Sequence, residues 1–203
     1  LTISFCDDSA DMSKGYSSKG NSIVLKLVVL GKSLVGKSAL TYRFISDKFP
    51  TEHDTTVEDQ YKTIMSVNGI NYELEVLDTA GQDDYQTMLD TWIDFGNCFL
   101  LVYSIDDYDS FKQIKAKFER IKQLKSSDSF SVVIVGNKCD LADTSRKVEK
   151  SEAENYARNI GFSAIEVSAL TKINVKEAFS LVVNDYLKRN SSGTKRGAFC
   201  PCF

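Results

Sequence analysis

The segment from Ile23 to Ile45 constrains the fold more than any other part of the chain. A β-branched apolar run, Ile23-Leu30, leads directly into Gly31-Lys32-Ser33-Leu34-Val35-Gly36-Lys37-Ser38, and a helical stretch, Ala39-Ile45, follows. These eight residues fit G-x-x-x-x-G-K-[ST], a loop whose glycines let backbone N–H groups turn inward around phosphate oxygens. The helix N-terminus adds a favourable dipole, Lys37 brings a point charge to the β- and γ-phosphates, and the Ser38 hydroxyl is suited to Mg²⁺. Gly31, Ser33, Leu34, Val35, Gly36, Lys37, Ser38 and Ala39 are therefore candidate nucleotide contacts.

The remaining pattern predicts an α/β architecture. Val132-Val135 and Ala164-Val167 are short and rich in aliphatic residues, and Cys98-Ser104 reads as a buried strand. Between and around them lie helical patterns. Ser110-Lys125 carries Phe111, Ile114, Phe118 and Ile121 at helical spacing, Ser151-Asn159 precedes the terminating Gly161, and Asn174-Leu187 is a last amphipathic helix. The alternation predicts βαβ units. Tyr61-Val67 and Ile70-Leu77 flank Asn68-Gly69, a dipeptide suited to a tight hairpin turn, so one antiparallel pair interrupts the parallel order and the sheet is mixed. Residues 1–21, and the stretch from Lys188 to Gly197, show no apolar period and read as flexible. The expected organisation is an N-terminal extension (1–21), one folded domain (22–187) and a tail (188–203).

Composition closes off several function classes. The chain has 203 residues, 42% hydrophobic, with a formal net charge of -3, which gives no field to draw nucleic acid. No run approaches the roughly 18 apolar residues of a spanning helix. Five scattered cysteines (Cys6, Cys98, Cys139, Cys200, Cys202), with no signal peptide before them, predict a reducing interior rather than a disulfide framework. His53 is the only histidine, which argues against zinc clusters and histidine triads.

The phosphate loop alone fits a nucleotide kinase, an ATPase or a GTPase. Three further segments decide, each after a strand. Asp78-Thr79-Ala80-Gly81-Gln82 ends the second hairpin strand, placing a carboxylate beside the loop. Asn137-Lys138-Cys139-Asp140 follows Val132-Val135. The Asp140 carboxylate suits the N1–H and 2-amino donors of guanine, whereas adenine would leave it buried and unpaired at a cost of a few kcal/mol. Ser168-Ala169 follows Ala164-Val167, with the Ala169 N–H suited to guanine O6. A nucleoside monophosphate kinase would need a lid with several arginines, and the folded body holds only Arg43, Arg120, Arg146 and Arg158.

From Ile23 to Leu187 the sequence resembles the Ras superfamily of small GTPases, in its Ras-like branch. His53-Asp54-Thr55-Thr56-Val57-Glu58-Asp59-Gln60-Tyr61 is similar to the effector segment, and Asp78-Thr79-Ala80-Gly81-Gln82-Asp83-Asp84-Tyr85 to the second switch. The resemblance implies the P-loop NTPase fold, with a mixed, mostly parallel six-stranded sheet and helices on both faces. It further implies GTP or GDP as bound nucleotide and Mg²⁺ held by Ser38, Thr56 and, through water, Asp78. Gly81 would meet the γ-phosphate through its N–H, Gln82 would orient the attacking water with Lys37 beside the phosphates, and Phe49 would pack edge-on against guanine. Asp54, Thr56, Val57, Glu58, Asp59 and Tyr61 would form an effector edge open to a basic partner strand. The implied partners are exchange factors, GTPase-activating proteins and effectors with Ras-binding domains, acting on a monomer.

Some positions depart from that pattern. Ser33 stands where most Ras proteins have Gly, His53 where they have Tyr, Thr55 where they have Pro, and Leu170 replaces the Lys after Ser-Ala. These changes bear on hydrolysis and effector choice, and a GTP-locked binding module is the alternative to a slow hydrolase. The tail ends Cys200-Pro201-Cys202-Phe203, a candidate prenylation motif at Cys200 preceded by Lys188, Arg189, Lys195 and Arg196. This predicts attachment to the cytoplasmic face of a membrane, the plasma membrane being the natural choice.

Overall fold

The computed structural model describes residues 23–50, 58–81, 86–126 and 129–191, and the structural statements that follow concern these residues. Six strands, β1 (Ile23–Gly31), β2 (Glu58–Val67), β3 (Ile70–Thr79), β4 (Cys98–Ser104), β5 (Ser131–Asn137) and β6 (Ser163–Glu166), form one sheet in the order β2-β3-β1-β4-β5-β6. Only the β2–β3 pairing is antiparallel. The expected hairpin turn is present: Asn68 and Gly69 take φ of 53° and 78°, the left-handed pair that a two-residue loop between twisted strands requires.

Helices cover both faces, which is why β4 and β5 are buried at every position and read as continuous apolar runs. On one face α1 (Lys37–Ser46) and the last helix (Val175–Ser191) enclose Leu25, Leu27, Val29, Leu100 and Val133 around the stacked rings of Phe44 and Phe179. On the other, α2 (Gln86–Phe95), α3 (Tyr108–Leu124) and a helix at Lys150–Asn159 enclose Val28, Leu30, Phe99, Leu101 and Ile134. In chain order the short helix Ala142–Ser145 is α4, Lys150–Asn159 is α5 and Val175–Ser191 is α6.

The structure departs from the sequence expectation in three places. Helix α2 was not anticipated; it packs through buried Trp92 and Ile93. A 3₁₀ turn at Cys139–Leu141 and α4 fill a stretch for which the sequence predicts no element. The last helix runs on to Ser191, past the boundary expected at Leu187. Arg189 is consequently not part of a loose basic tail: it pairs with Asp185 at 2.7 Å, donates to the Gly161 carbonyl at 2.6 Å and lies over the Phe162 ring. Among the described residues no helix is long and apolar enough to cross a membrane.

Candidate functional site

The five parallel strands point their carboxyl ends the same way, and the predicted site residues among the described positions gather there. β1 delivers the loop from Gly31 to Lys37, β3 delivers Asp78 and Gly81, β5 delivers Asn137, and β6 leads to Ser168 and Ala169. Open α/β sheets bind ligands at this edge.

The phosphate loop turns at Leu34 (φ 66°) and Gly36 (φ 89°). Gly36 is required twice over, because a Cβ there would also stand 2.5 Å from Asn137 Nδ2. Asn137 staples the two halves of the site: its Nδ2 donates to the Val35 carbonyl at 2.8 Å, and its Oδ1 accepts from the Ala169 N–H at 3.3 Å. The N–H expected to meet guanine O6 is thus bonded to Asn137 here. Lys37 is buried, its Nζ donating to the Lys32 carbonyl at 3.0 Å, and burial lowers its pKa to about 8.

Asp78 is fully buried, and burial raises its pKa to about 6 against the opposing pull of the Ser38 hydroxyl and the Lys37 ammonium. Neither carboxylate oxygen completes a hydrogen bond among the described residues. A buried carboxylate with both oxygens unmatched beside a serine hydroxyl is a donor set that fits a hard divalent cation, which takes oxygen ligands. Gly81 lies against the phosphate loop so closely that a Cβ would meet the Lys32 carbonyl carbon and Ser33 N, and stand 2.5 Å from Lys37 Nζ.

On the base side, Asp140 is exposed rather than buried as the selectivity argument assumed, and its Oδ1 accepts from the Ser168 hydroxyl at 2.5 Å. The Ser168 Oγ in turn accepts from the Thr171 N–H, so the two base segments form one unit. Lys138 takes a left-handed φ of 64° as the chain enters the 3₁₀ turn. Phe49 is half-buried and packs on the core cluster beneath α1.

Of the expected effector residues, Glu58 and Asp59 are exposed at the start of the edge strand β2 and Tyr61 packs on the core. Glu58 is not simply a solvated acid, since its Oε2 accepts from Trp92 Nε1 at 2.6 Å. Asp54, Thr56, Val57, Gln82 and Cys200 lie outside the described residues.

Three residues at this edge escaped sequence reasoning. Lys32 forms ion pairs of 3.0 Å with both Asp107 and Asp109 at the start of α3. Arg43 donates from α1 to the carbonyls of Ala169 and Leu170. Arg146 forks onto Glu166 at 2.6 and 3.0 Å, bracing the strand that leads into Ser168. Their partners stand 75, 126 and 20 positions away, and no local pattern could reveal them.

A phosphate loop, a buried metal-suited carboxylate and two hydrogen-bonded segments after β5 and β6 on one sheet edge define a P-loop nucleoside triphosphatase. The family model described as "Ras family" matches residues 26–188. The chain is 41% identical over 186 residues to the Ras-related protein R-Ras of Homo sapiens, covering 87% of this chain and 85% of the relative. The R-Ras of Rattus norvegicus is 40% identical with the same coverage, and the Ras-like protein rasC of Dictyostelium discoideum is 39% identical over 169 residues, 83% of this chain and 89% of that protein. The chain belongs to the Ras family and is a small GTPase, a GTP-binding GTP hydrolase.

Proposed function

We propose that this protein is a signalling switch that cycles between GDP and GTP, hydrolyses GTP slowly and recruits effectors in the GTP state. The observation that carries this reading is the contact between Gly81 and the phosphate loop. A segment pressed against Ser33 and Lys37 responds to whatever phosphate those residues hold, so the presence or loss of a γ-phosphate is passed to the chain that follows β3.

In this reading Gly31 and Ser33 to Ala39 cradle the phosphates, with Lys37 as the charged contact, while Asp140 and Ala169 read guanine and Phe49 covers its face. Ser38, Thr56 and, through water, Asp78 would hold Mg²⁺, which would neutralise phosphate charge when bound. Gln82 orients the attacking water. Effectors add to β2 at Glu58, Asp59 and Tyr61, with Asp54, Thr56 and Val57 as further contacts, and basic Ras-binding domains suit the acidic residues among them. Exchange factors and activating proteins act on the segments 53–61 and 78–85. Lipid on Cys200 attaches the monomer to the cytoplasmic face of the plasma membrane, with Lys195 and Arg196 as the basic residues left to the tail.

Purified protein loaded with a fluorescent GDP in Mg²⁺ is expected to retain it through gel filtration and to release it when EDTA is added. Loaded with GTP, it is expected to release one phosphate per chain in a single turnover. A chain that binds no guanine nucleotide overturns the reading. Binding without phosphate release replaces it with a GTP-locked module, to which Ser33 would be the contributing residue. A GTP-dependent pull-down with the Gln82→Leu form then identifies the effector.

A further inference from the structure

Arg43 sits half-buried on the last turn of α1, and its guanidinium is engaged on every side. Nε donates to the Ala169 carbonyl at 2.8 Å, Nη2 to the Leu170 carbonyl at 2.9 Å, and Nη1 to the carbonyl of Asp47 at 3.0 Å. The same group lies 5.7 Å from the centre of the Phe49 ring. One side chain therefore ties together the end of α1, the ring assigned to the face of the base, and the turn whose N–H is assigned to its O6. The planar guanidinium supplies this by geometry: its donors diverge in a fixed fork, so two successive carbonyls are met at once, which a lysine cannot do. A second bridge, Lys172 to Asp47 at 2.5 Å, closes the same corner from outside.

We propose that Arg43 is a positioning residue for the guanine slot, setting the distance between Phe49 and the Ala169 N–H, so that base affinity and the reading of position 6 depend on a residue outside the assigned nucleotide and metal contacts. This rests on the guanine-nucleotide reading above. Arg43 makes no hydrogen bond to Asp140, which is held by Ser168, so the reading of the 2-amino group depends on Arg43 less directly than the reading of position 6.

The test compares the parent chain with Arg43→Met and Arg43→Lys by the dissociation rate of GDP and by competition with two analogues. In 6-thio-GDP the acceptor at position 6 is weakened, and IDP lacks the 2-amino group. Arg43→Met is expected to release GDP about 3- to 10-fold faster, the scale of losing charge-assisted bonds partly open to water. It should also narrow the preference for GDP over 6-thio-GDP more than the preference over IDP. Arg43→Lys, which keeps the charge and the stem but not the fork, should fall between the two. A parental release rate in Arg43→Met overturns the proposal, as does an equal fall in both preferences, which marks general loosening. If Arg43→Met does not fold, Arg43→Lys decides by the same two ratios. A parent that binds no guanine nucleotide overturns the underlying site reading and this inference with it, whereas a parent that binds and an indifferent variant overturn this inference alone.

Discussion

Lys32 Nζ lies 3.0 Å from Asp107 Oδ2, and Asp107 is at the same time the N-cap of α3, accepting from the N–H groups of Asp109 and Ser110 through its other oxygen. One carboxylate thus holds a helix start and the phosphate loop together. Because the Lys32 carbonyl receives Lys37 Nζ, the tether fixes the residue against which the Lys37 ammonium rests. Its pairing with Asp109 and then Asp107 holds the Lys32 pKa above its usual value, so the lysine stays charged throughout the physiological range.

Replacing Lys32 with Met should lower the melting temperature modestly at low salt, since partly exposed ion pairs contribute less than about 1 kcal/mol. The deficit should shrink as ionic strength rises and screening weakens the pair in the parent too. Thermal unfolding of both proteins across a salt series checks this, and a deficit that does not change with salt would mean that lost packing of the lysine stem is responsible.

Gly81→Ala introduces a methyl group into space already filled by the Lys32–Ser33 backbone and Lys37 Nζ. The neighbours include backbone, which cannot swing aside, so the segment after β3 must move away from the phosphate loop at a cost of about 1–3 kcal/mol. Phosphate release should fall by roughly ten-fold or more, while GDP binding changes less. Single-turnover hydrolysis and GDP dissociation, measured side by side, separate the two effects. Parental hydrolysis in this variant would show that Gly81 does not need its close approach.

The strands, and the motifs that follow β1, β3, β5 and β6 at one sheet edge, were legible because each is a local pattern: a β-branched run, a glycine loop, an Asn-Gly turn whose φ angles are as expected. Helix α2 was not. Its ten residues, QTMLDTWIDF, include two threonines and two aspartates, so the period of Met88, Leu89, Trp92 and Ile93 is short and diluted. The true end of α6 was hidden for another reason. Lys188–Ser191 are polar and read as tail, but Arg189 is fastened to Asp185, Gly161 and Phe162 by contacts that only the fold supplies. The bracing of the site by Lys32, Arg43 and Asn137 was invisible likewise, because it joins residues more than 30 positions apart.

Gln82→Leu should slow phosphate release by roughly ten-fold or more, because a leucine cannot hydrogen-bond the attacking water, while GTP affinity stays close to that of the parent. Rapid-mixing phosphate detection after GTP loading gives the rate, and nucleotide dissociation gives the affinity control. Unchanged hydrolysis would remove Gln82 from the reaction.

Asp140→Asn should exchange the base that the protein selects, and the structure specifies how. The Ser168 hydroxyl donates to Asp140 Oδ1 and is itself held by the Thr171 N–H, so the acceptor it faces is required on that side. An asparagine at 140 therefore keeps its carbonyl oxygen toward Ser168 and turns its NH₂ toward the base. The 2-amino group of guanine then confronts a second donor, and the pair cannot form. Xanthine carries an oxygen at that position and accepts instead. GTP affinity should fall by about 2–3 kcal/mol, the scale of losing a charge-assisted bond and leaving a donor unmatched, while xanthosine triphosphate gains. Adding Ser168→Ala removes the hydroxyl that fixes the amide and should return part of the lost GTP affinity, since the asparagine can then present its oxygen to guanine. Competition binding of both triphosphates to the parent, the single and the double variant checks both steps. An Asp140→Asn protein that holds GTP as tightly as the parent would show that Asp140 does not read the base.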